Sequence, residues 1–167
     1  MIALILIAAA AVAVLSASSG GPVQGSEPGE YFTWRELTTT SQVGDNTPTP
    51  SARKRLRDLV QSVLDPFRRH VGVPVRITSG YRSPAINAAI GGSNTSQHMR
   101  GEAVDLTIAG RSSREIARAV LASGVPYDQL IWYTDSPHVH VSYRAGSNRG
   151  QVLSASREGG TYYSEDP

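Results

Sequence analysis

The chain has 167 residues, with sixteen Lys and Arg against fourteen Asp and Glu, a net charge of +2 and no cysteine. Disulfide staples and thiolate metal ligands are therefore excluded, and so small an excess of charge gives no support to nucleic-acid binding, although the sequence pI is about 9.1. There is no P-loop, dinucleotide fingerprint or repeated unit, and the expectation is a single hydrophobic core of ordinary domain size.

Residues 2–15 (IALILIAAAAVAVL) are an uninterrupted apolar run of fourteen, followed by the small residues Ser16, Ala17, Ser18 and Ser19. The run is short for a spanning helix, which needs about 20 apolar residues. It resembles the apolar and cleavage regions of a secretory signal, although no Lys or Arg precedes it. Residues 1–19 are read as a signal peptide or N-terminal membrane anchor, residues 20–30 as a linker, residues 31–153 as the folded domain and residues 154–167 as a polar tail. This reading makes the protein exported or anchored, with membrane contact only through residues 2–15 if they are kept.

Pro48 and Pro50 close a loop, after which Ala52, Leu56, Leu59, Val60, Val63, Leu64 and Phe67 recur at helical spacing. Pro66 is expected to kink or end that helix, and His70 near its C-terminus reads as structural. Residues 73–78 (VPVRIT) read as a short strand leading into SGYRSP. Within that motif Tyr81 reads as packing. The Arg82 guanidinium fork suits a substrate carboxylate or carbonyl, and equally a structural pairing with Glu36 or Asp105. Residues 84–90 form a short helix opening with proline, followed by a turn at Gly91, Gly92, Ser93 and Asn94. Ser96 reads as a turn or capping hydroxyl.

Residues 102–108 (EAVDLTI) alternate Val104, Leu106 and Ile108 against Ala103, Asp105 and Thr107, as in a strand with one buried face. Asp105 then faces away from the core, Glu102 has the opposite parity, and Gly101 permits a sharp turn before the strand. Ser112 to Glu115 (SSRE) fits a capping box, and Ile116, Ala119 and Val120, with Gly124 beyond, mark a second amphipathic helix. Residues 127–133 (YDQLIWY) are the next strand, and a turn at Asp135, Ser136 and Pro137 leads to residues 138–143 (HVHVSY). There His138 and His140 share the face away from the core. Residues 145–153 (AGSNRGQVL) add one more packed segment.

Pairing of the strands at residues 102–108 and 138–143 would crowd a carboxylate and two imidazoles onto one surface, with His98 arriving on the loop before the first strand. Two histidines and a carboxylate with one position left open is the ligand set of a hydrolytic zinc site. Single histidines on strands are otherwise ordinary surface or hydrogen-bonded residues, and an isolated HxH is weak evidence for a metal. The architecture expected is α+β: a small, largely antiparallel sheet with helices on one face and the metal on the other, the open face serving as substrate groove.

SGYRSPAIN, GG, SQHMRGEAVDL, YDQLIWY and HVHVSY together resemble the zinc D-Ala-D-Ala carboxypeptidases and their peptidoglycan-peptidase relatives, over roughly residues 31–153. FTWREL at residues 32–37 resembles that group's domain start. The resemblance implies a hedgehog/D-Ala-D-Ala peptidase-like fold acting on peptidoglycan stem peptides, in a bacterium or a phage. It implies one zinc ion on His98, Asp105 and His140, with Arg82 and Ser96 contacting substrate and Arg82 also serving the transition state. Many relatives carry a glutamate shortly before the last histidine; here no glutamate lies between Glu115 and Glu158. Asp135, five residues before His140, is the candidate base, or else it simply closes its turn. His138 is the alternative base or a transition-state donor. Two other readings follow from the missing glutamate and the metal set: a non-catalytic wall-binding module of the same fold, and a structural zinc domain of a phage or envelope assembly.

Overall fold

The computed structural model describes residues 27–156, 162–164 and 167. The apolar run at residues 2–15 lies outside the described residues, among which no helix is long and apolar enough to cross a membrane. The elements in chain order are α1 (Trp34–Thr38), α2 (Pro50–Leu59), a π-turn (Val60–Leu64), α3 (Asp65–Val71), β1 (Arg76–Ser79), α4 (Pro84–Ala89), a 3-10 turn (Gln97–Arg100), β2 (Ala103–Thr107), α5 (Ser113–Ala122), β3 (Gln129–Tyr133), β4 (Val139–Ser142), β5 (Gln151–Ala155) and β6 (Tyr162–Tyr163).

The apolar periodicity holds through α2 and α3, and Pro66 does not end the helix, which continues as α3. A proline has no amide hydrogen to donate and its ring crowds the carbonyl four residues back, here that of Ser62. The π-turn just upstream absorbs this by widening the helix, and the Asp65 amide donates to the Val60 carbonyl, five residues back. The helix then runs on to Val71 and stops at Gly72, which takes the left-handed conformation at φ 69°. The strand expected over residues 73–78 begins only at Arg76, since Pro74 cannot donate to a ladder.

Six strands form one sheet in the order β1-β2-β4-β3-β5-β6. The pairs β1/β2, β2/β4, β3/β4 and β5/β6 are antiparallel, whereas β3 and β5 are parallel, with Gln129 opposite Gln151. The sheet is therefore mixed, which corrects the expected largely antiparallel arrangement. The cause is the route of residues 143–150. β4 ends at Ser142 beside Gln129, where β3 begins. A short crossing there starts β5 from the same end as β3 and so in the same direction. β5 extends to Ala155 and β6 pairs beside it, so part of the stretch expected to be a tail belongs to the sheet.

Val104 and Leu106 of β2, Val139 and Val141 of β4, and Leu130 and Trp132 of β3 share one face. Against them pack Leu59, Val60, Val63, Leu64 and Phe67 of the long helix and Ile116 and Val120 of α5. Each such side chain taken from water stabilises the fold by about 1.5–3 kcal/mol. The opposite face carries only a small apolar cluster, Ile131, Leu153 and Ala155, and is left to polar residues.

The segment that begins the domain is held against the long helix by polar contacts. Buried Asp65 accepts the amides of Glu30 at 2.7 Å and Tyr31 at 3.2 Å. Gly29 lies so close that a Cβ there would stand 2.2 Å from the Asp65 carboxylate. The Arg53 guanidinium stacks on Trp34 at 3.8 Å. Asp65→Ala leaves two amides without a partner and is expected to cost about 2 kcal/mol of stability, read as a lower urea midpoint. An unchanged midpoint would show that the carboxylate does not hold the segment.

Candidate metal centre

The sheet register sets two members of the site directly opposite one another. Asp105 of β2 pairs with His140 of β4, and the same row continues to Ser79 on β1 and Ile131 on β3. Both side chains project from the face opposite Val104, Leu106, Val139 and Val141, as the alternation requires. His98 comes from the 3-10 turn that precedes β2. That turn ends at Gly101, at φ 73°, where a Cβ would stand 2.3 Å from the Ala52 carbonyl oxygen. Glycine thus meets two demands there, a left-handed backbone and close contact with α2.

The three side chains are all buried. His98 Nε2 lies 3.2 Å from His140 Nδ1 and 3.3 Å from Asp105 Oδ1, and His140 Nδ1 lies 3.0 Å from the same oxygen. His98 Nδ1 stands 2.8 Å from the Gly80 carbonyl oxygen. A carbonyl only accepts, so Nδ1 carries a hydrogen, and Nε2 is the nitrogen turned to the other two groups. One further proton can bridge His140 and Asp105, but it cannot satisfy all three atoms at once.

A cation at their centre does satisfy them. For a tetrahedral ion with bonds of about 2.0–2.1 Å the ligand atoms stand about 3.4 Å apart, close to the triangle observed. Among the described residues, His98, Asp105 and His140 form the group that could hold a metal ion. Burial pushes the Asp105 carboxyl up, but the charge of His98 and the His140 hydrogen bond outweigh it and hold Asp105 well below the usual carboxylate range. Burial pushes His140 down, against the opposing pull of Asp105. Both shifts favour the proton-free forms that a metal needs.

Arg82 closes the far side of the carboxylate. Its Nη2 donates to Asp105 Oδ2 at 2.7 Å, its Nε to Ser79 Oγ at 2.9 Å, and its amide to the His98 carbonyl at 3.3 Å. The structural pairing considered for Arg82 thus exists with Asp105; Glu36 instead closes a capping box with Thr33. Nη1 makes no hydrogen bond among the described residues, and Arg82 lines a recess of about 120 Å³ together with Thr78, Ser79, Tyr81, Ile86 and Ile90. A larger cleft of about 330 Å³, beside Lys54, Arg55, Glu102 and Arg144, contains none of the three buried groups.

Ser96 is half-buried at the start of the 3-10 turn, and its side chain makes no capping bond. His138 precedes β4, with Nδ1 hydrogen-bonded to Ser136 Oγ and its ring 4.4 Å from that of Tyr133. Asp135 is exposed in the turn after β3, where Oδ2 accepts from Ser156 Oγ at 2.7 Å. The structure therefore unites His98, Asp105, His140 and Arg82 in one hydrogen-bonded group, while the hydrogen bonds of Asp135 and His138 described above go to Ser156 and Ser136. Ser79 and Gly80 were not singled out from sequence. Ser79 is marked only by its register with Asp105, and Gly80 by a backbone so close to α1 that a Cβ would stand 2.2 Å from the Leu37 oxygen.

Arg82→Met removes the partner of Asp105 Oδ2 and is expected to lower affinity for a divalent metal about 10- to 100-fold in a chelator-competition titration. Unaltered affinity would show that Asp105 holds its orientation without the guanidinium.

A search of curated proteins found no match. The family described as Peptidase M15 matches residues 30–142, a span that includes His98, Asp105, His140 and Arg82. That span is more than half of the 167 residues and encloses the whole buried triad, and the chain belongs to the peptidase M15 family.

Proposed function

We propose that the protein is a zinc peptidase that hydrolyses peptide bonds in the stem peptides of peptidoglycan. The observation that carries this reading is the buried triangle of His98 Nε2, Asp105 Oδ1 and His140 Nδ1 on the open face of the sheet, within a peptidase family. A zinc ion held there would supply Lewis acidity to the scissile carbonyl and lower the pKa of water.

The chain's own groups supply the rest. Arg82, anchored through Nη2 and Nε, would direct Nη1 at the substrate carbonyl and stabilise the negative charge that develops on it. Ser96, whose side chain is not used as a cap, would hydrogen-bond the substrate backbone. Between the two candidate bases, His138 is the better supported. Its ring lies against Tyr133, whose parity along β3 is that of Ile131 on the metal face. With Nδ1 engaged by Ser136, Nε2 is the nitrogen that would take the proton from water and pass it to the leaving amine. Asp135 is exposed and hydrogen-bonded to Ser156, which suits a turn residue better. Export or anchoring through residues 2–15 would bring the enzyme to this substrate. The absence of a glutamate between Glu115 and Glu158 is what favours the second reading, a wall-binding module without turnover.

The test is mass spectrometry of muropeptides incubated with the full chain and zinc. Loss of a terminal alanine or a split stem is expected, abolished by His98→Ala. His138→Ala should lower kcat about 100-fold or more, and Asp135→Asn only slightly. Intact muropeptides from folded, zinc-loaded protein, with wall binding unaffected by chelator, would replace the enzyme by the binding module.

A further inference from the structure

A buried carboxylate that the reaction does not use, Asp128, is hydrogen-bonded to Gln97, the residue directly before His98. Asp128 has 0 % of its surface exposed. Oδ2 accepts from Gln97 Nε2 at 2.8 Å and from Arg149 Nη2 at 2.6 Å, while Oδ1 accepts from the Arg149 amide at 3.0 Å and its Nε at 3.1 Å. Its backbone is tied as well, since the Asp128 amide donates to the Ser142 carbonyl and the Gln151 amide donates to the Asp128 carbonyl. Burial pushes the carboxyl up, but the Arg149 and Gln97 hydrogen bonds more than offset this and keep it below its usual range.

Three segments of chain meet at this carboxylate. Gln97 is the residue directly before His98 in the 3-10 turn, Ser142 is two residues beyond His140 on β4, and Arg149 leads into β5. The turn that carries His98 is also tied by the His98 ring to Gly80, the Arg82 amide to the His98 carbonyl, the Glu102 amide to the Gln97 carbonyl, and Arg100 to Thr95 and Glu102, while the Gln97 side chain is what links it to Asp128. An unpaired carboxylate at this depth would cost several kcal/mol, so Gln97 and Arg149 are constrained to stay on it. Arg149 also lies past residue 142, where the family match ends.

We propose that Asp128, gripped by Arg149 and Gln97, is the positioning unit that holds His98 in register with Asp105 and His140, so that metal affinity depends on a residue beyond the family-matched segment. This rests on the metal reading of the triad. Gln97 and Arg149 touch no ligand atom, and their effect passes through the placement of the turn. Support from behind a ligand of this kind typically changes metal affinity about 10- to 100-fold.

The experiment compares the full chain with its Gln97→Ala, Arg149→Met and Arg149→Lys variants, measuring zinc affinity by chelator competition, the visible absorption of the Co(II)-loaded protein, and the melting temperature without metal. Asp65→Ala serves as the control, being a buried anchor remote from the triad. The expected result is a 10- to 100-fold loss of affinity and an altered Co(II) spectrum in Gln97→Ala and Arg149→Met, a smaller loss in Arg149→Lys, and wild-type affinity in Asp65→Ala despite its lower melting temperature. Should Arg149→Met fail to fold, Gln97→Ala, which leaves the Asp128 and Arg149 pair intact, decides the matter. Wild-type affinity and spectrum in Gln97→Ala would overturn the proposal, as would an equal loss in Asp65→Ala. A wild-type chain that binds neither ion would instead overturn the metal reading, and the positioning role with it.

Discussion

Asp105 divides its two oxygens between two tasks, and the functional face is arranged around that division. Oδ2 receives the Arg82 guanidinium, while Oδ1 faces two imidazoles. A carboxylate buried without such partners would take up a proton. Here the charge and hydrogen bonds of His98 and His140 more than compensate for burial, and the carboxylate stays ionised in the interior. The same charge makes the surrounding lone pairs compatible with a divalent ion. Without it, two histidines this close would be a weak site.

The backbone contributes as much as these side chains. Register alone sets Asp105 against His140, since both lie on one row of the sheet and a slip of one residue would turn either of them into the core. His98 has no such guarantee, because it stands on a turn. Two of the contacts that place it are ones only glycine allows. Gly101 lies against α2, and Gly80 against α1 while offering its carbonyl to the His98 ring. The helical layer thus positions a ligand on the far side of the sheet without lending it a side chain.

Alternation of apolar residues was enough to assign Asp105 and His140 to one face, because parity is a local property of a strand. The long helix was legible for the same reason, and its capping residues marked α5. Strand direction was not legible. Nothing in residues 151–155 says whether they run with or against β3, since that depends on the end of the sheet at which residues 143–150 cross. The proline in the helix was visible but its outcome was not, because accommodation fell on residues 60–64, upstream of the proline itself. Asp128 was hidden more deeply. Its partners lie 31 residues before it and 21 after, and no local pattern marks a charge whose neutralisation comes from so far along the chain. Arg82 was seen with both its possible roles, and a single distance shows that the structural pairing with Asp105 is made, through Nη2.

The pairing of β2 with β4 also bears on the order in which the molecule is assembled. His98 and Asp105 are separated by seven residues, but His140 stands 35 residues past Asp105. Two ligands close in sequence can meet an ion while the chain is still open, and they exchange it freely. Retention begins only when β4 docks beside β2, a closure across α5 and β3 that carries its own entropic cost. An ion held by all three residues would therefore tie its retention to the closing of the central strands.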